Sequence, residues 1–167
     1  MNATPIAVIG DSMTANPYSW ANLIIDRGQR MYIMAQAGRS IRDYQMPRDF
    51  YAYPGYYSTV VYFLGSSDAY DRTHPFRIKR NFTEHMTFLQ ERGFTVIVIM
   101  HAIYNDMPVQ SRQVRDVIRK VTTSLGIPVI DLMVVWDEGF TTDGAHPNIY
   151  GHQVLADYIY DEMVKLL

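Results

Sequence analysis

Ile6-Ala7-Val8-Ile9-Gly10-Asp11-Ser12 is an apolar run of strand length that stops at a glycine, an acid and a hydroxyl. A short β-branched run closed by Gly and Asp reads as a buried strand followed by a turn, and Asn16-Pro17 then supplies a helix N-cap and a first-turn proline. This puts Ser12 in the connection after the first strand. Gly-Asp-Ser by itself is ordinary turn chemistry, so the weight of Ser12 depends on what the rest of the chain brings to the same place.

Working outward, Trp20, Leu23 and Ile24 share one face of a helix over 17–27, with Gly28 as the glycine past its end. Residues 31–35 read as a second strand that stops at Gln36-Ala37-Gly38-Arg39-Ser40, a small-residue turn through which backbone can approach a ligand closely. A short helix is expected over 41–46. The tyrosine-rich stretch 47–58, with Phe50, Tyr51, Tyr53, Tyr56 and Tyr57, is expected to pack over the sheet edge or to form a self-association patch. Residues 59–64 form an uninterrupted β-branched and aromatic run, a strand buried on both faces, and end at Gly65-Ser66-Ser67-Asp68. A helix over 75–92 buries Ile78, Phe82, Met86 and Leu89. The fourth strand, 94–100, leads into His101-Ala102-Ile103-Tyr104-Asn105-Asp106. The next helix turns Val114, Val117, Ile118, Val121 and Leu125 inward and stops at Gly126. A short fifth strand over 127–130, a connection from Asp131 to Pro147, and a last helix from Asn148 complete the chain.

Five strands alternating with helices predict an α/β fold: a three-layer α/β/α sandwich around a five-stranded parallel sheet of order 2-1-3-4-5, in a single domain over 1–167. The chain of 167 residues, 48% hydrophobic, is long enough to bury about two thirds of its unfolded surface in one core. A formal charge of -2 without blocks of like charge carries no electrostatic footprint for nucleic acid or an anionic membrane. The absence of cysteine excludes disulfides, thiolate metal ligands and a cysteine nucleophile. Met1-Asn2-Ala3-Thr4-Pro5 lacks a basic segment, and the apolar run after it is too short for a signal-peptide core or a membrane span, so a soluble protein of the cytoplasm is expected.

The topology gives the polar turns a common address. Ser12, Gly38, Ser67, His101 and the loop Asp143-Gly144-Ala145-His146-Pro147 all follow strands and face the same sheet edge, where the switch point between strands 1 and 3 opens a crevice. Asp143 and His146, three apart before a helix-starting proline, can sit together at one helix N-terminus. The carboxylate then accepts from Nδ1 and leaves Nε2 as a base. Ser12, His146 and Asp143 make a nucleophile, a base and its orienter.

These residues resemble the GDSL or SGNH hydrolases. Gly10-Asp11-Ser12 is similar to that family's nucleophile block, Asp143-Gly144-Ala145-His146 to its Asp-x-x-His block, Gly38 to its second-block glycine, and Gly65-Ser66-Ser67-Asp68 to its Gly-x-Asn-Asp block. The resemblance spans nearly the whole chain and implies ester cleavage through an acyl-enzyme on Ser12, with no metal or cofactor. It also implies an oxyanion hole from the amides of Ser12 and Gly38 with a donor at Ser67. Ser67 replaces the family's asparagine by a shorter, freely rotating hydroxyl. Losing a well-placed oxyanion donor costs about 10²–10³ in turnover, unless Ser67 reaches through a water or Asn105 substitutes.

Arg39, His101, Tyr104 and Asn105 are candidate substrate contacts, and Arg39, Arg42 and Arg72 can meet an anionic substrate. Asp11 is expected to fix its turn and Asp68 to brace its own loop, while His74 and His85 read as solvated surface histidines. His101 and Asp106 with Asp143 and His146 can be drawn as a metal site, but their spacing fits no compact ligand motif. The substrate reading is a small-molecule or carbohydrate ester carrying a short acyl group such as O-acetyl. A weakened binding or structural module and an acyltransferase using the same residues stand as alternatives.

Overall fold

A computed structural model of the protein describes residues 5–46 and 56–167. Strands β1 (Ile6–Gly10), β2 (Met31–Ala35), β3 (Thr59–Phe63), β4 (Thr95–Met100) and β5 (Val129–Asp131) form one parallel sheet of order β2-β1-β3-β4-β5. The helices are α1 (Ser12–Ala15), α2 (Trp20–Asp26), α3 (Ser66–Tyr70), α4 (Pro75–Glu91), α5 (Pro108–Leu125) and α6 (Ile149–Leu166). Two 3-10 turns, Leu132–Val134 and Glu138–Phe140, follow β5. The expected order and three-layer arrangement are those observed.

Side-chain alternation along each strand builds two cores. Ala7, Ile9, Val60, Tyr62, Val96 and Val98 face one way, against Ile78, Phe82 and Met86 of α4 and Val114 and Ile118 of α5. Ile6, Val8, Val61, Phe63, Ile97 and Ile99 face the other, against Trp20 and Ile24 of α2 and Leu155 and Ile159 of α6. β1 and β3 are buried over their whole length, which is why both read as continuous apolar runs rather than alternating ones. Trp20 is fully buried and donates Nε1–H to Thr14 Oγ1 at 3.3 Å. Burying a side chain of that size contributes about 3 kcal/mol.

The register aligns Gly10 with Ala35 of β2 and Phe63 of β3, so the segments after all three strands emerge side by side. Gly10 has a steric rather than a dihedral reason: a Cβ there would lie 2.5 Å from Thr14 Cβ and Oγ1. Only a glycine lets α1 start directly off the strand. At Gly65 both constraints hold, with φ of +128° and a would-be Cβ 3.1 Å from His101 Cδ2 and from Val114 Cγ1.

Several local expectations are corrected. The helix expected from Pro17 begins at Trp20, capped by Ser19, whose Oγ accepts from the Asn22 amide at 3.5 Å. The residues after Ser12 form a separate short helix, and Asn16 ends it and takes the Tyr18 amide on Oδ1 at 2.9 Å. Residues 41–46 make a turn closed by Tyr44 N–H to Ser40 O at 2.9 Å rather than a helix. β5 is Val129–Asp131, shorter and later than 127–130, because 127–128 still leave α5 past Gly126, whose φ is +66°. α6 starts at Ile149 with Asn148 as cap, so Asp143 and His146 precede the helix instead of forming its N-terminus. His85 is buried rather than solvated, with Nδ1 2.8 Å from Tyr62 Oη and Nε2 3.0 Å from the Tyr44 carbonyl. Burial pushes its pKa down, against the Tyr44 carbonyl and Glu84, which favour the charged form. His74 is exposed and caps α4.

Of the tyrosine-rich stretch, 47–55 lies outside the described residues. Tyr57 is buried and stacks on Tyr32 of the edge strand β2 with ring centroids 6.1 Å apart, in keeping with packing over the sheet edge.

Candidate active site

Asp11 caps α1, its Oδ1 accepting the Met13 amide at 3.0 Å, which sets Ser12 as the first residue of that helix. Ser12 Oγ lies 2.9 Å from His146 Nε2, and His146 Nδ1 lies 2.6 Å from Asp143 Oδ2. Asp143 Oδ1 in turn accepts the amides of Ala145 at 3.0 Å and His146 at 2.7 Å. The carboxylate thus folds its own loop and orients the ring with the same group. Gly144, at φ +85°, and the Thr141–Pro147 bridge close that loop. The slight burial of Asp143 favours its neutral form, but the His146 amide, the His146 ring and the Ala145 amide outweigh it and hold its pKa below the usual carboxylate value. A carboxylate that stays charged and holds Nδ1–H leaves Nε2 free to accept the serine proton, an arrangement able to perform nucleophilic chemistry at Ser12.

Two further loops complete the surround. Gly38, at φ +76°, lies on the turn after β2, whose start is tied to β1 by Gln36 N–H to Gly10 O at 3.1 Å. Ser67 lies in the first turn of α3 and is partly buried. Asp68, expected to brace its own loop, braces its neighbour: Oδ2 accepts the Ile41 amide at 2.6 Å and Oδ1 the Arg42 amide at 3.1 Å. It therefore ties the loop carrying Gly38 to the helix carrying Ser67. Burial raises its pKa against those two amide bonds.

Ser12, Gly38, Ser67, Asp143 and His146 line one cavity of about 450 Å³, with Met13, Ala37 and Ala145 as small or apolar wall and Tyr70 and Asp71 at its side. Of the candidate substrate contacts, Tyr104 lines this cavity as a fully buried ring. His101 does not reach it: the residue is fully buried, stacks on Tyr104 at 5.4 Å, and has Nδ1 2.7 Å from the Ala102 carbonyl. Burial pushes its pKa down to about 4. A histidine at a strand end is drawn into the core here because Gly65 leaves room for it. Asn105 is exposed and does not line the cavity, so it is not placed to stand in for an oxyanion donor. Arg39 donates to the Met34 carbonyl at 2.5 Å and lies over the Tyr44 ring, lining the next depression instead. Arg42 pairs with Asp43 and Asp71, at 2.7 and 3.0 Å, and Arg72 is an exposed left-handed turn residue. Among the described residues no group of three or more His, Asp or Glu is placed to hold a metal ion, and His101 and Asp106 do not join the Asp143–His146 pair.

A buried polar group beneath the cavity escapes sequence reading. Ser66 Oγ and Tyr104 Oη are 2.9 Å apart. Asp11 is fully buried, and its Oδ2 makes no hydrogen bond, although the Ser66 hydroxyl lies near enough to favour its charged form. Burial dominates and raises the Asp11 pKa to about 7. His152 is a second such group, buried on α6, its pKa pushed down to about 4 by burial and by the charge of His146. The signal for it was its place on the helix face shared with Leu155, Ala156 and Ile159. Tyr70 and Asp71 had no signal beyond following the Gly-x-x-Asp block. Among the described residues no helix is long and apolar enough to cross a membrane.

A family model, the GDSL-like lipase/acylhydrolase family, matches residues 8–154. No curated protein matches the chain in sequence. Among solved structures, TesA superposes with a TM-score of 0.81 at 19% identity, covering 98% of this chain and 99% of its own. The psychrotrophic esterase EstA from Pseudoalteromonas sp. superposes at 0.80 with 15% identity and 97% of each chain covered. The acetyl xylan esterase AlAXEase gives 0.75 at 18% identity, covering 95% of this chain and 98% of its own. These likenesses are of fold.

Proposed function

The chain belongs to the GDSL-like lipase/acylhydrolase family, and from that premise we propose that it is a serine esterase that removes short acyl groups, such as O-acetyl, from a carbohydrate through an acyl-enzyme on Ser12. The observation that carries the reading is the unbroken relay from Ser12 Oγ to His146 Nε2 at 2.9 Å and from His146 Nδ1 to Asp143 Oδ2 at 2.6 Å. A fold retained only for binding has no use for that alignment.

In the proposed reaction His146 Nε2 takes the Ser12 proton as Oγ bonds to the ester carbonyl carbon. The resulting oxyanion rests on the amides of Ser12 and Gly38, with the Ser67 hydroxyl as a third donor. The imidazolium, stabilised by Asp143, returns the proton to the departing alcohol oxygen. Water then gives a proton to Nε2 as its oxygen bonds to the acyl carbon, and the bond from that carbon to Ser12 Oγ breaks as Nε2 returns the proton to Oγ, which releases the acid and restores the serine. The short acyl group is supported by the small side chains of Ala37 and Ala145 in the wall beside Ser12. The carbohydrate is supported by a neighbour in fold described as an acetyl xylan esterase.

The test is turnover of p-nitrophenyl acetate and p-nitrophenyl octanoate by the wild type and Ser12→Ala, with labelling by a serine-directed fluorophosphonate. The reading expects acetate to be preferred, and both turnover and labelling to vanish in the variant. Equal rates in the two proteins would overturn it.

A further inference from the structure

The cavity at Ser12 does not end at Gly38. A second depression of about 370 Å³ adjoins it, and Ala37 and Gly38 line both. Each volume falls within the range of about 300–1,000 Å³ usual for small-molecule sites. A ligand whose carbonyl lies at the Gly38 amide therefore has two directions open to it, one into each cavity.

The chemistry of the two differs. The first has Met13, Ala37, Ala145 and Tyr104 in its wall. The second is walled by Gln36, Arg39, Asp43, Tyr44 and Gln45. Its two charged side chains are already matched within the protein. Arg39 donates to the Met34 carbonyl and lies 4.9 Å over the Tyr44 ring. Asp43 faces Arg42 at 2.7 Å and Arg77 at 3.6 Å. An anionic headgroup or phosphate gains little from such a wall, and an acyl chain would desolvate amides without replacing their hydrogen bonds. What the wall does offer is the exposed amides of Gln36 and Gln45, each with a donor and an acceptor. Hydroxyl groups, which both donate and accept, match that set.

We propose that this second depression is a leaving-group subsite for a neutral polyhydroxylated alcohol, an oligosaccharide, that runs across Gly38 while its acyl group points to the Met13 side. The proposal rests on the esterase reading above and adds the direction of the substrate and the residues that select it.

The test compares wild type, Gln36→Ala, Gln45→Ala and the double variant. Neither side chain belongs to the relay at Ser12, and the Gln36 backbone bond to Gly10 survives truncation. The readout is kcat/KM on O-acetylated xylo- and manno-oligosaccharides divided by kcat/KM on p-nitrophenyl acetate. Losing the hydrogen bonds of two amides is expected to lower that ratio about tenfold in the double variant, through KM for the oligosaccharide. A ratio that does not move, or two activities that fall in parallel, overturns the subsite while leaving the esterase reading intact. Should the wild type turn over neither ester, that reading fails separately, and the subsite is decided by titrating unacetylated xylotetraose and mannotetraose into the wild type. Perturbed side-chain amide resonances of Gln36 and Gln45 would support it, and unperturbed ones would overturn it.

Discussion

Asp11→Asn tests whether the residue beside Ser12 is a buried acid kept neutral by its surroundings. Asp11 is fully buried, with Oδ1 on the Met13 amide and Oδ2 without a hydrogen bond. Burial raises its pKa from 3.8 to about 7. Between those values the folded protein holds a proton that the unfolded chain has released, so the Asp11 contribution to stability falls as pH rises through that window and levels off above about 7. At 1.36 kcal/mol per pKa unit, the gap corresponds to about 4 kcal/mol at full development. Asparagine keeps the helix-capping oxygen and places an NH₂ where the neutral acid carries its proton, toward the Ser66 hydroxyl. The variant therefore copies the protonated state without its titration. Urea denaturation of both proteins at about pH 4, 6 and 8, with slopes checked for equality, is expected to show the stability difference, variant minus wild type, growing by up to about 4 kcal/mol from the lowest to the highest pH. A difference that stays constant across the series would refute the burial argument.

Ser67→Asn is expected to raise kcat on p-nitrophenyl acetate by about ten- to a hundredfold with little change in KM, because an amide reaches further than a rotating hydroxyl toward the developing oxyanion. An unchanged or lower kcat would show Ser67 to be adapted or irrelevant. Asp143→Asn is expected to lower kcat by about 10⁴ by allowing the wrong tautomer of His146, with fluorophosphonate labelling slowed in parallel. A loss below about tenfold would remove Asp143 from the relay. Asp68→Ala strips the acceptor from the Ile41 and Arg42 amides, at a cost of about 2–4 kcal/mol, to be read as a lowered melting temperature together with reduced kcat. A wild-type melting temperature would mean that water replaces the carboxylate.

Much of the fold was legible because its signals are local. Apolar runs such as Ile6–Gly10 and Thr59–Phe63 are continuous wherever a parallel strand is covered on both faces, and a right-handed crossover rule then leaves few sheet orders. The same rule brings the ends of β1 and β2 together with α3 and the loop before α6, and so puts Ser12, His146 and Asp143 at one sheet edge. Element boundaries were less legible. Asn16-Pro17 is a sound helix start by composition, but it is Ser19 that caps the helix by accepting the Asn22 amide, so the helix begins three residues later at Trp20.

Sequence by itself thus determined the layers and the strand order, because apolar periodicity and chain direction suffice for them, and it put the loops carrying Ser12, Asp143 and His146 at one sheet edge. Only the tertiary structure decided which polar side chains are buried and whom they serve. His101 is sealed under Tyr104, His85 is paired with Tyr62, Asp68 holds the amides of Ile41 and Arg42, and the turn at Gly38 stands between two cavities. Each of these depends on loops distant in sequence packing against one another, and the free energy of burying a polar group is set by the partner it meets rather than by its neighbours along the chain. The opening strand delivers Ser12 to the edge; the loop with Asp143 and His146, more than a hundred residues later, gives its hydroxyl a partner.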